Sequence, residues 1–136
     1  MAQKNDYLIS TLSKAALEWG THRYTNSRGY VYGEGYLPIH AEDARRLELY
    51  NNNGTDYENV YGENLFHCSS VDGLFEGVLR SQGNRAKGDI YAKQFAGDKN
   101  LKALGHWFRE VNAQEGDQVK VTWISPTEIC IELLSE

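Results

Sequence analysis

Cysteine is scarce in this chain of 136 residues, which has only Cys68 and Cys130. Neither lies in a CxxC pair, so the sequence gives no sign of a zinc knuckle or a redox pair. We expect reduced thiols of an intracellular protein, and a buried disulfide between them stays open. No apolar run approaches the roughly 18 residues that a membrane-spanning helix needs, and no signal peptide opens the chain. We therefore expect a cytoplasmic protein without a membrane partner.

Catalytic motifs are missing as well. No HExxH, GxSxG or Walker A pattern occurs, and the glycines at 29–35 are spaced GxxxGxG rather than as a dinucleotide-binding fingerprint. Four histidines stand isolated: His22, His40, His67 and His106. The nearest approach to a metal-dependent nuclease is Asp117 with Lys120, at a turn into an apolar hairpin, while Asp72 and Glu76 have no lysine nearby. The sequence thus predicts no catalytic residue, no metal site and no cofactor, and it leaves open whether the chain is an enzyme.

Charge is unevenly distributed along a chain whose net charge is -5. Residues 1–33 carry +2 and residues 80–102 carry +4, whereas residues 34–79, with nine acids and two arginines, carry -7 and residues 103–136 carry -4. Partner binding depends on the local face rather than on the total. The two positive stretches could therefore share one binding face.

The stretch from Arg80 to Lys102 has the composition of a segment that reads nucleic acid. Its cations are Arg80, Arg85, Lys87, Lys93, Lys99 and Lys102, against Asp89 and Asp98. Three amides and one aromatic residue lie between them: Gln82, Asn84, Gln94 and Tyr91. Cations neutralise phosphates, and forked amides and guanidinium groups read base edges. The alternative is an ordinary solvated basic hairpin.

Apolar spacing and turn residues predict a β-rich chain in one domain, residues 1–136, with a few short helices between strands. The predicted helices are 5–19, capped by Asn5 or Asp6, then 39–50 after Pro38, and 100–113. The predicted strands are 65–71 and 74–81 around Asp72-Gly73, then 88–95, 118–124 and 127–134. An extended arm at 21–39 turns at 26–29, and 51–64 is a loop. In helix 100–113 the apolar face consists of Leu101, Leu104, Trp107, Phe108 and Val111.

The order of short motifs resembles a known family. Residues 104–108 (LGHWF), the Glu-Gly-Asp turn at 115–117 and the strand that follows resemble the plant B-three DNA-binding domain. Upstream, 35–39 (GYLPI) and the helix after it resemble still more the N-terminal recognition domain of EcoRII-type restriction endonucleases, UbaLAI-like ones included. The resemblance spans roughly residues 20–134, and helix 5–19 is an addition to the plant pattern.

This resemblance implies a seven-stranded open pseudobarrel that grips the major groove of DNA with two arms. The first-arm positions with suitable side chains are Arg23, Asn26, Ser27 and Arg28. The second-arm positions are Arg80, Gln82, Asn84, Arg85, Lys87, Asp89, Tyr91, Lys93 and Gln94. The acidic segment 34–79 departs from the composition of a plain DNA binder, and we expect it on the far side of the domain.

The leading hypothesis is a sequence-specific reader of double-stranded DNA without catalysis. It would be a monomer and the target-recognition domain of a restriction endonuclease, with a nuclease domain linked to it, and the resemblance hints at a site such as CC(A/T)GG. A small metal-dependent or nucleotide-modifying enzyme is one alternative. A protein-interaction module that uses the acidic face is another.

Overall fold

The computed structural model describes residues 1–18, 34–51, 59–83 and 90–134. Within these ranges the chain is mainly β, with short helices between strands, as predicted. The strands are β1 (Tyr7–Thr11), β2 (Leu37–Pro38), β3 (Leu65–Ser70), β4 (Glu76–Gln82), β5 (Gln94–Gly97), β6 (Gln118–Ser125) and β7 (Glu128–Leu134). The helices are α1 (Lys14–Leu17), α2 (Ala41–Arg46) and α3 (Ala103–Glu110).

The strands form one sheet in the order β1-β6-β7-β3-β4-β5-β2. Neighbours are antiparallel except β3 and β7, which are parallel. The two outermost strands approach each other, since the Ser10 hydroxyl on β1 donates a hydrogen bond to the Pro38 carbonyl on β2 at 2.6 Å. The sheet is therefore curled into a nearly closed barrel. A curled sheet leaves little unpaired strand edge to aggregate.

Aromatic side chains from distant strands fill the barrel interior. Phe66 on β3 meets Phe95 on β5 edge to face, with ring centroids 5.7 Å apart, and meets Trp123 on β6 in the same way at 5.9 Å. All three side chains are fully buried. Edge-to-face pairs add about 0.5–1.5 kcal/mol each beyond the burial of their area. The interior contacts thus join three strands that are far apart in sequence.

Helix α3 covers one end of the barrel, which we call the α3 end. Leu104, Trp107 and Phe108 are buried there, as the helical spacing of the sequence predicted. The indole Nε1 of Trp107 donates to both carboxylate oxygens of Asp72, at 3.1 and 3.3 Å. Asp72 lies in the turn between β3 and β4, so this contact ties the helix to the hairpin. Helix α2 follows β2 and lies at the opposite end, which we call the α2 end.

The predicted helix over 5–19 is wrong. The chain instead forms strand β1, paired with β6 over five residues, and then the short helix α1. Leu8 and Leu12 are buried as expected, but Ser10 between them is buried too. A spacing of four residues fits one face of a helix and, equally, one face of a strand. The helix cap is Ser13, whose hydroxyl accepts from the Ala16 amide at 3.1 Å, rather than Asn5 or Asp6.

Other boundaries were predicted with mixed success. The hairpins β3–β4 and β6–β7 lie where the alternation placed them, and Gly73 has the positive φ of 78° that the predicted turn needs. Helix α2 is shorter than 39–50, because Glu48 adopts a left-handed φ of 54° beyond its end. Of the predicted strand 88–95, residues 88 and 89 lie outside the described ranges. Strand β5 starts only at Gln94 and runs to Gly97.

Candidate nucleic-acid interface

Most predicted arm residues lie outside the described ranges. In the first arm these are Arg23, Asn26, Ser27 and Arg28, and in the second they are Asn84, Arg85, Lys87 and Asp89. The structure describes the remaining second-arm positions: Arg80, Gln82, Tyr91, Lys93 and Gln94. It also describes the strands and helices to which both arms are attached.

The two arms are attached to neighbouring strands. Residues 19–33, which contain the first-arm positions, precede β2, and residues 84–89, which contain the central positions of the second arm, lie between β4 and β5. Strands β2 and β5 pair antiparallel, with Leu37 opposite Phe95 and Pro38 opposite Gln94. The first residues of the two strands are therefore within about 6 Å of each other, from the strand spacing and rise. Because the strands run in opposite directions, the first arm joins the pair from the α3 end and the second from the α2 end.

Three of the predicted contact residues share the outer face of β4 and β5. Leu79 and Phe95 belong to the core. Alternate residues of a strand point to opposite faces, so Arg80, Gln82 and Gln94 point outward. Gln82 and Gln94 are directly opposite each other across the two strands. Gln94 is half-buried, whereas Gln82 retains only 8% of its exposure.

Arg80 forms an ion pair with Asp98. Asp98 follows β5 directly, and its own amide donates to the Val78 carbonyl at 2.9 Å, so its backbone is fixed against β4. The side chains of Arg80 and Asp98 keep 23% and 17% of their exposure. Since each guanidinium carries five N–H donors in a rigid fork, a carboxylate that takes some of them orients the rest.

Tyr91 and Lys93 lie where the second arm rejoins the barrel. Together with Ile90 and with Arg45 of α2 they line a groove of about 360 Å³ at the α2 end. Ile90 is 53% exposed there. The groove thus combines two cations with an apolar and aromatic floor. Such a surface suits a phosphate backbone and the sugars next to it.

The segment 49–51 supports the base of the second arm, a role that sequence analysis did not predict. The Asn51 amide donates to the Ile90 carbonyl at 2.7 Å, and the Asn51 side-chain oxygen accepts from the Gly83 amide at 2.7 Å. Tyr50 stacks on Tyr91, with ring centroids 5.8 Å apart. Tyr50 ended the predicted helix 39–50 and Asn51 began the predicted loop 51–64, so the tertiary contacts alone show what these two residues do.

Acidic groups are not gathered as expected. The segment 34–79 runs through β2, α2, β3 and part of β4, so those of its acids that the structure describes are spread over the barrel instead of lying on one far side. Glu42 and Asp43 occupy the first turn of α2, and Asp43 is held by Arg46 at 2.9 Å. The strand farthest from β2 and β5 around the barrel is β7, which exposes Glu128 and Glu132.

The cysteines are both free thiols, as expected. Burial, with a smaller contribution from Cys130, raises the pKa of the Cys68 thiol well above its usual range. Burial also raises the pKa of Cys130, more than the hydrogen bond with Ser69 lowers it. Neither thiol is therefore an activated nucleophile, because the reactive form is the thiolate.

Two further observations concern the described part of the chain. Nowhere in residues 1–18, 34–51, 59–83 and 90–134 do three or more His, Cys, Asp or Glu side chains cluster closely enough to hold a metal ion. None of the helices in those ranges has the length and apolar character needed to cross a membrane.

No protein-family model, curated protein or solved structure matches the chain.

Proposed function

We propose that this protein reads a specific sequence in double-stranded DNA. It would do so as an open seven-stranded pseudobarrel whose two arms enter the major groove. The observation that supports this most is the pairing of β2 with β5, which attaches two cation-bearing segments to adjacent strands. The two segments approach this strand pair from opposite ends of the barrel, one before β2 and one before β5. On this proposal they hold one duplex between them, each entering the major groove from its own end of the pair.

The chemistry of the arms matches this task. Residues 19–33 contain Arg23 and Arg28 and no acid, and residues 84–89 contain Arg85 and Lys87 with Asp89 as the only acid. Guanidinium groups contact O6 and N7 of guanine bidentately, and the amides Asn26 and Asn84 match adenine in the same way. Cations that do not reach bases neutralise phosphates and position the protein. Each arm thus has both kinds of group.

The described surface between the arms extends the same chemistry. Arg80, Gln82 and Gln94 share the outer face of β4 and β5, and the groove beside them brings Lys93 and Arg45 together. Asp98 orients Arg80, which favours a contact of fixed geometry over a diffuse attraction. We assign the groove to the phosphate backbone and the accessible part of the outer face, at Arg80 and Gln94, to bases or sugars.

The wider role follows from the family resemblance. A recognition domain of an EcoRII-type restriction endonuclease supplies specificity while a linked nuclease domain cuts the DNA. On this proposal the chain itself carries no catalytic group, binds as a monomer and needs no cofactor. A cytoplasmic location fits such a restriction system.

The test is selection of bound duplexes from a random pool, followed by gel shifts over a range of salt concentrations. We expect one enriched sequence. Arg28→Ala and Arg85→Ala should each relax preference by about 1–3 kcal/mol, at different base pairs of that sequence. Lys87→Ala should weaken binding to all duplexes alike and reduce the salt slope by about one unit if the lysine contacts phosphate.

Lys120→Ala is the matched control, because it removes the same charge from β6, next to the far side of the barrel. Its binding should equal that of the unmodified protein. Enrichment of no sequence, with equal weakening by all four substitutions, would leave only non-specific electrostatic binding. Absence of any DNA binding would favour the protein-interaction alternative.

A further inference from the structure

One buried residue holds both ends of the second arm. Asn51 has no exposed surface, although its carboxamide is polar. Its side-chain oxygen accepts a hydrogen bond from the amide of Gly83, the last described residue before the arm, at 2.7 Å. Its backbone amide donates to the carbonyl of Ile90, the first described residue after the arm, also at 2.7 Å. The described ends of the arm are thus joined through a single amino acid.

The contact at Gly83 is closely packed. A Cβ atom at position 83 would lie 3.2 Å from the Nδ2 atom of Asn51 and 3.3 Å from its Cγ atom. These distances are tighter than ordinary van der Waals contact, so Gly83 lets the backbone approach the carboxamide. A larger residue at 83 would push the start of the arm away from Asn51 or displace the Asn51 side chain.

The support beneath Asn51 is itself fixed to the barrel. The Ser81 hydroxyl on β4 donates to the Tyr50 carbonyl at 2.8 Å. The Ala92 amide, beyond the arm, donates to the Leu49 carbonyl at 2.8 Å. Asn51 therefore lies at the end of a short segment that is anchored to strand β4 on one side and to the residues leading into β5 on the other.

We propose that Asn51 is a positioning residue that sets the geometry with which the second arm meets base edges. This inference rests on the DNA-reading function proposed above. A base contact needs its donor and acceptor within about 0.5 Å of the productive position, and ordering a loop on binding costs free energy. A contact between a cation and a phosphate tolerates more freedom. Loss of the Asn51 carboxamide should therefore reduce discrimination between bases more than overall attraction to DNA.

The test compares Asn51→Ala with Asn64→Ala. Asn64 is also fully buried, and its side-chain oxygen likewise accepts a backbone hydrogen bond, from Val60 at 2.8 Å, so the control loses the same kind of contact elsewhere. The first readout is amide hydrogen exchange at Gly83 without DNA. We expect about tenfold faster exchange in Asn51→Ala, the loss of roughly one hydrogen bond, and no change in Asn64→Ala.

The second readout is binding to every single base-pair variant of the selected duplex. Asn51→Ala should lose about tenfold in discrimination at the base pairs that depend on Arg85. Preference at those that depend on Arg28, and the salt slope, should stay unchanged. Gly83→Ala serves as a second variant, because it strains the same contact without removing a buried polar group. If Asn51→Ala does not fold, Gly83→Ala tests the positioning role in its place.

The possible outcomes separate the two proposals. Unchanged amide exchange at Gly83 in Asn51→Ala would overturn the positioning role, whatever the result of the DNA-binding measurements. Faster exchange combined with equal weakening on all duplexes would overturn it too, because Asn51 would then be a structural residue only. If the unmodified protein selects no duplex, the proposed function fails, and the positioning role in DNA reading fails with it. The exchange data would then still show whether Asn51 fixes the arm.

Discussion

The contact between Trp107 and Asp72 allows a quantitative test of how the helix at the α3 end is held. Trp107 is fully buried, and its indole nitrogen donates to the Asp72 carboxylate at 3.1 Å. A double-mutant cycle with Trp107→Phe, Asp72→Ala and the double variant isolates this hydrogen bond, because the change in ring size is common to both backgrounds. Hydrogen bonds to charged groups contribute about 1.5–3 kcal/mol, and the exposure of Asp72 reduces this. We expect a coupling free energy of about 1 kcal/mol at pH 7.

The coupling should depend on pH. Partial burial raises the pKa of Asp72, but hydrogen bonds from Ser70, Leu74 and Trp107 outweigh burial and leave that pKa below its ordinary value. A carboxylate whose pKa is lowered by folding stabilises the folded state above the unfolded pKa, about 3.9 for an aspartate. That contribution is lost as the pH falls through the lower, folded-state value. The coupling should therefore be constant from pH 7 to about 5 and decline below about 4.

The measurement is urea unfolding of the four proteins at pH 7, 5, 4 and 3. Trp107→Ala provides the scale, because truncation of a fully buried tryptophan costs about 3–5 kcal/mol. A loss below about 1 kcal/mol for Trp107→Ala would place Trp107 outside the core. A coupling that is near zero at pH 7, or that does not change between pH 5 and 3, would refute the ionised hydrogen bond.

Two further predictions concern the barrel seam and the thiols. Ser10→Ala should lower the free energy of unfolding by about 1–3 kcal/mol, because it leaves the Pro38 carbonyl without its donor. Ser125→Ala is the control: it loses an exposed contact with Glu128 and a long hydrogen bond, 3.4 Å, from the Thr127 amide, and should cost less than about 0.5 kcal/mol in the same urea titration. Burial raises the pKa of both cysteines. A thiol reagent at pH 8 should therefore label Cys68 only after unfolding, and Cys130 more slowly than a free cysteine peptide. Rapid labelling of either thiol in the folded protein would contradict its burial.

Sequence predicted well those parts of the fold whose apolar spacing fits a helix or a strand but not both. Trp107 and Phe108 follow Leu104 at three and four residues, and no strand places all three on one face. In β6, Val119, Val121 and Trp123 alternate with polar residues, which no helix face explains. Local pattern and tertiary packing agree in these elements, so the pattern alone was sufficient.

The N-terminal prediction failed for the opposite reason. Leu8 and Leu12 satisfy both periods, and the residue that decides between them is Ser10. Its burial depends on an acceptor, the Pro38 carbonyl, that is 28 residues away in sequence. A serine inside a core position reads as polar surface unless its partner is known. The pairing that closes the barrel is therefore not visible in the local pattern.

The residue composition of the candidate interface could be predicted from the sequence, but the contacts that hold its residues in place could not. The surplus of cations in 80–102 and the amides among them stand out in sequence, and the described residues place Arg80, Gln82 and Gln94 on one outer face. The ion pair of Arg80 with Asp98 and the hydrogen bond from Gly83 to Asn51 join residues that are far apart in sequence. Neither Asp98 nor Asn51 stands in a motif, so only the fold brings each of them to its partner.

The net charge of -5 is a weak argument against DNA binding for a barrel of this order. Strand β7, with Glu128 and Glu132, is separated from β5 by β3 and β4. Three strand spacings amount to about 14 Å along the sheet. The Debye length at physiological ionic strength is about 8 Å, so exposed acids at that distance are largely screened from a ligand at β5. Glu128 and Glu132 would therefore add little to the field that a ligand at β5 meets, and the groups next to that ligand would decide its binding.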